Sequence, residues 1–302
     1  MTLRFADCAL GLHARREPFR SALYCARQRT IRFPPSAIAS ASAPSVRGRR
    51  ELSALGSVDV YEYPVLELPG DFVAENREPL GSKAKLWFRD PAKGGKRILF
   101  KFNRSGTGED WAEKVAAEQA RTLGLPHARV ELAAFNSHRG AALYDFTDKG
   151  QIALVHGNEL LEFADPQYPT EKRYGALEYT VSAVANILSR VGIHLPSAPR
   201  PLPDTVTDAV GLFVGYLLLD AWIGNTDRHH ENWGLLWQRT GARPKFVLAP
   251  SYDHASSLGR ELSDDARTRR GNPAHGSPVE RYARRARSAF YPGAGQKDAL
   301  PT

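Results

Sequence analysis

Asp227, Asn232 and Asp253 stand out in this 302-residue chain as side chains whose types and order suit a chemical reaction. Asp227 and Asn232 open and close the run Asp-Arg-His-His-Glu-Asn, and Asp253 follows two short apolar stretches joined at Thr240-Gly241-Ala242-Arg243-Pro244. Phosphoryl transfer uses such a set, because it asks a protein mainly for placement and charge stabilisation. In that reading Asp227 orients an acceptor hydroxyl and takes its proton, while Asn232 and Asp253 hold a magnesium ion that bridges the phosphates of ATP. Two hard oxygen ligands suit magnesium, which keeps waters and draws its other ligands from phosphate. Taken singly, Asp-Arg-His would be a helix-end ion pair and Asn232 a turn cap. The ordered set of two aspartates, asparagine and hairpin favours the chemical reading.

The elements that must position these residues are legible around them. Residues 206–223 read as a buried helix that Gly224-Asn225 terminates, and 233–237 and 245–249 as the strands of a hairpin. Upstream, strands are expected over 58–68, 84–89, 97–102 and 128–135, with further strands at 141–146 and 151–155 completing the same sheet. Between the third and fourth lies a helix at about 110–123, with Trp111, Val115, Ala116, Ala120 and Leu123 on its apolar face and Gly124 as its stop. Lys101 ends the apolar strand Ile98-Leu99-Phe100-Lys101, where an ammonium would reach the nucleotide phosphates. Its partner is expected to be a glutamate of the following helix, Glu113 first and Glu118 in reserve; five positions apart, the two point about 140° from each other. Gly81, Ser82 and Lys83, just before a strand, form a short candidate phosphate-covering loop without a full G-x-G-x-x-G pattern, and Gly106-Thr107-Gly108 reads as a linker. After 165–170 the pattern turns helical, with Leu177, Val181, Val184, Ile187, Leu188 and Val191 at three- and four-residue steps. The expected architecture is α+β and bilobal: a β-rich first lobe over 51–160 and a mainly helical second lobe over 161–302.

Three other signals bound the function. His229, His230 and His254 invite a metal-dependent hydrolase, but two are adjacent rather than at i, i+4 spacing and no paired cysteines support them, so they read as supports behind the site residues or as structural. The net charge of +8 does not indicate a nucleic-acid partner, because residues 1–50 carry +8 and 267–302 carry +6, leaving the body at −6. Both cysteines, Cys8 and Cys25, lie in the Arg-, Ser- and Pro-rich 1–50 segment, which reads as a disordered or spurious tail in preference to a targeting segment. With no secretory apolar region and no uninterrupted membrane-length run, a cytoplasmic location is expected.

The motifs at 224–232 and 249–254, the Leu99-Phe100-Lys101 strand and the helix beginning at Trp111 together resemble the HipA-like serine/threonine kinase family over roughly residues 58–290. The resemblance implies a protein-kinase-like fold and a catalytic loop also similar to that of phosphoinositide lipid kinases. It implies ATP and Mg2+ as cofactors, with Asp227 as base, Asn232 and Asp253 as magnesium ligands and Lys101 on the phosphates. It also implies, by analogy alone, a DNA-binding antitoxin-like partner, and by position alone Ser82 as an autophosphorylation site. Two departures accompany it: residues 1–50 have no counterpart, and the chain stops at Thr302 where relatives continue with more helix, giving the expectation of a shortened second lobe. The alternatives left open are a catalytically inactive kinase-fold interaction module and a lipid kinase.

Overall fold

Phenylalanines on alternating strand positions organise the first sheet of the computed structural model. The described residues are 63–68, 84–90, 95–147, 152–190, 192–198, 200–239, 244–260, 265, 278–293 and 296–302. All but Tyr63 fall in the unit Pro64–Thr302. The strands are β1 (Val65–Leu68), β2 (Lys85–Asp90), β3 (Lys96–Phe102), β4 (Val130–Phe135) and β5 (His138–Tyr144), in the spatial order β1-β4-β5-β3-β2. β1 runs parallel to β4, and every other neighbouring pair is antiparallel. Phe88, Phe100, Phe102 and Phe135 meet edge to face on one side, packed with Leu68, Ile98, Ala133 and Ala142. The β4–β5 connection is a two-residue turn with Asn136 and Ser137 both at positive φ, so β5 begins earlier than the 141–146 expectation. Asn tolerates that conformation and suits a tight hairpin, but without the usual following glycine the signal was weak.

Helix α1 (Glu109–Thr122) explains how the two halves meet. Its alanines let other elements approach closely: Ala117 packs on Val130, Ala141 and Leu143 of the sheet. Ala116 and Ala120 pack on Leu219 and Ile223 of helix α4 (Ala209–Ile223). A helix wedged in this way carries Glu113 to the boundary between the halves.

The second sheet has the order β6-β8-β9-β7, from β6 (Ile152–His156), β7 (Ile193–His194), β8 (Gly234–Gln238) and β9 (Lys245–Leu248). The expected strand at 151–155 therefore does not complete the first sheet; it pairs antiparallel with β8. The reason is packing, because Ile152 and Leu154 lie against Leu236, Val247, Ala249 and Tyr252. Helix α2 (Gly157–Ala164) was not expected. It starts with a capping box in which Glu159 accepts from the His156 backbone N at 2.8 Å, and histidine in place of Ser or Thr hides that signature. Helix α3 (Val181–Leu188) begins at Thr180, whose hydroxyl accepts from Ala183 N. Helix α4 is capped by Asp208 at its start and ends at Gly224 with φ +61, the left-handed stop that glycine adopts without strain. Helix α5 (Pro278–Arg285) follows, with the Tyr282 hydroxyl donating to Gly224 O at 2.9 Å. Among the described residues no helix is long and apolar enough to cross a membrane.

Candidate active site

The 224–232 loop is built around a buried ion pair. Arg228 donates from Nε to Asp220 Oδ2 at 2.7 Å and from Nη2 to Asp220 Oδ1 at 2.8 Å, reaching back onto α4. The same guanidinium donates to Asn232 O at 3.0 Å and to Ser251 Oγ at 2.9 Å, so one side chain ties helix, loop and the 251–254 segment together. Asn225 donates to Asp220 and accepts from the Asp227 backbone N, shaping the turn into Asp227. Asn232 then closes the loop: its side-chain Nδ2 donates to Asp227 O at 2.6 Å.

Lys101 enters from the first sheet. Its Nζ lies 2.9 Å from Asp253 Oδ1 and 3.4 Å from Glu113 Oε2. Burial opposes its charge, but the Asp253 and Glu113 carboxylates outweigh that and hold its pKa well above the ordinary lysine value. Glu113 also accepts from the His254 backbone N at 3.0 Å, so α1 fixes both the lysine and the turn that presents Asp253. Asp253 has φ 58, a conformation aspartate tolerates better than most residues but that still marks a constrained turn. The reserve candidate Glu118 is elsewhere, paired with Lys114 and Arg121. Gly140 on β5 is part of the same construction: a Cβ there would stand 2.3 Å from Lys101 O.

Asp227 is held by side chains that no motif signalled. Ser256 Oγ donates to its Oδ2 at 3.1 Å, and the Tyr174 hydroxyl donates to its Oδ1. Arg260 donates to Ser256 Oγ at 3.0 Å and pairs with Glu109, the first residue of α1, at 2.9 Å. Each of the three histidines has a hydrogen-bond partner within the protein. His230 hydrogen-bonds Tyr168, His254 hydrogen-bonds Ser251, and His229 accepts from the Glu231 backbone N. Burial holds all three below the usual imidazole pKa. No group of three or more His, Cys, Asp or Glu among the described residues is arranged to hold a metal. Gly81, Ser82 and Lys83 lie outside the described residues.

The donor set fits magnesium of the kind that phosphates complete. Because Asn232 Nδ2 is engaged by Asp227 O, its amide oxygen is the atom left to a cation. The Asp253 side chain is 33% exposed and already stands beside one cation, the Lys101 ammonium. One amide oxygen and one carboxylate are hard donors, and two protein ligands match an ion that takes the rest from water and phosphate.

The fold is that of a HipA-like kinase. The structure is similar to that of the Helicobacter pylori proinflammatory kinase CtkA, with TM-score 0.54 and 19% identity over 78% of this chain and 74% of that one. A match to Shewanella oneidensis MR-1 HipA, solved with HipB and operator DNA, has TM-score 0.36 and 14% identity over 78% of this chain and 51% of that one. No curated protein matches the chain. The model of the HipA-like C-terminal domain matches residues 79–291, and the chain belongs to that family.

Proposed function

We propose that this chain is a kinase that transfers the γ-phosphoryl group of ATP, with Mg2+, to a serine or threonine hydroxyl. The observation that supports this best is the convergence of Lys101 on Glu113 and Asp253, at 3.4 and 2.9 Å, beside a loop in which Asn232 closes onto Asp227 at 2.6 Å. Lys101 holds the phosphates, and Glu113 keeps it in position. Asp227 orients the acceptor hydroxyl and accepts its proton. Asn232 and Asp253 would hold magnesium, which would neutralise the charge that develops on the transferred phosphoryl group. Gly81, Ser82 and Lys83 are proposed as the phosphate-covering loop, and a DNA-binding partner remains what the family resemblance implies.

The test is incubation of the full chain with γ-labelled Mg-ATP and candidate acceptors, followed by analysis of the labelled product. Label on serine or threonine, absent with Asp253→Ala and dependent on magnesium, is the expected result. Label on lipid headgroups would move the acceptor class. ATP binding without transfer to any acceptor would favour an inactive module.

A further inference from the structure

The two carboxylate oxygens of Asp227 are held in different ways. Oδ2 belongs to an anchored chain: Ser256 donates to it at 3.1 Å, Arg260 donates to Ser256 at 3.0 Å, and Arg260 pairs with Glu109 at 2.9 Å. Glu109 is buried at the head of α1, so this oxygen is fixed through the body of the protein. Oδ1 instead accepts from the Tyr174 hydroxyl, and Tyr174 is 60% exposed. The ring of Tyr174 rests edge to face on His229, whose Nε2 stands 3.6 Å from the same oxygen. Burial and the Asp227 charge hold the Tyr174 pKa above its ordinary value, so the phenol keeps its proton and donates.

A hydroxyl to be phosphorylated must donate to the base in the same manner, since proton transfer needs hydrogen-bond reach before anything else. We propose that Tyr174 occupies the acceptor-hydroxyl position on Asp227 Oδ1, and that a substrate hydroxyl carried on an exposed protein segment displaces it. The inference rests on the kinase reading. It makes the 165–180 segment one wall of the acceptor subsite, with His229 as its floor. The Tyr174 side chain is largely exposed and can turn away without breaking the Ser256–Arg260–Glu109 chain, so Asp227 stays oriented through Oδ2 when the acceptor enters. Arg173 pairs with Glu231 at 2.5 Å next to this point and ties the segment to the catalytic loop.

The experiment compares magnesium-dependent ATP hydrolysis, with water as acceptor, and ATP affinity in wild type, Tyr174→Phe and Tyr174→Ala full-length protein. Opening Oδ1 should raise hydrolysis in both variants by about 3- to 10-fold, the effect of removing one competing hydrogen bond, with ATP affinity unchanged. Adding Asp227→Asn should abolish the rise. Hydrolysis that is unchanged or lower in both variants, while wild type turns over and all bind ATP, would overturn the acceptor assignment and leave the kinase reading standing. No hydrolysis and no transfer in wild type or variants, despite ATP binding, would overturn both. Melting temperatures separate these outcomes from misfolding, and Tyr174→Phe keeps the ring that packs on His229.

Discussion

Asp220→Ala removes the carboxylate that receives both Nε and Nη2 of Arg228 at 2.7 and 2.8 Å, where both residues are buried. The Arg228 guanidinium would stay charged without that counterion, because the ordinary pKa of a guanidinium lies far above neutral. Breaking a buried pair in this way costs about 3–5 kcal/mol. At about 2–4 °C per kcal/mol for a body of this size, the melting temperature should fall by about 6–20 °C. Replacing both partners, as Asp220→Leu with Arg228→Met, should cost much less, since the desolvated charge goes as well. That double variant still loses the Arg228 bonds to Asn232 O and Ser251 Oγ, so it should remain folded and be impaired in catalysis. The assay is urea unfolding of the two single variants and the double, alongside transfer activity. A cost below about 1 kcal/mol for Asp220→Ala, or a double variant no better than the worse single one, would refute the view that this pair builds the loop.

Further outcomes follow from other contacts. Gly140→Ala would place a Cβ 2.3 Å from Lys101 O and 2.6 Å from the Phe100 ring. It should destabilise by about 1–3 kcal/mol in urea unfolding and lower kcat/KM by displacing β3. Ser256→Ala should lower kcat with ATP affinity unchanged, and Ser256→Thr should restore part of it; parallel losses in kcat and ATP affinity would refute a positioning role. His229, His230 and His254 have folded-state pKa values below the ordinary one, about 4 for His230, so below pH about 6.5 the unfolded chain takes up protons that the folded chain refuses. Stability is therefore complete above that pH and declines as pH falls, for His230 down to about 4 and by up to about 1.4 kcal/mol per pH unit, with His229 and His254 adding in the same direction. His230→Gln should reduce the slope by one histidine's share, measured by urea midpoints from pH 7.5 to 5.

The parts of the fold that rested on local pattern were legible in sequence. Helix α4 needed only its apolar run and the glycine at 224. Helix α1 was legible as a helix, but of its expected apolar face only Ala116 and Ala120 are fully buried; Val115 and Leu123 are exposed, and the helix turns Ala112 and Ala117 inward instead, because small side chains allow the close packing on the sheet and α4. Strand β6 was legible as a strand but not as a member of the second sheet, because a five-residue apolar segment does not encode which neighbour it pairs with. In the candidate site, Lys101 had two possible partners on one helix, and only the helix's rotation between sheet and α4 brings Glu113 to it. The ring of residues around Asp227 was not legible. Tyr174 comes from one loop and Ser256 and Arg260 from another, and nothing in their local sequence reports that the chain folds them around one carboxylate.

Single-turnover transfer by Asp227→Asn, with ATP affinity measured on the same protein, bears most directly on the phosphotransfer role. The substitution keeps the shape of the loop and removes the carboxylate proposed to accept the proton. Transfer should fall by about 100-fold or more while ATP affinity stays within about twofold, the signature of a lost base. Transfer that persists at the wild-type rate would contradict the role given to Asp227, and with it the reading of this loop as the centre of catalysis.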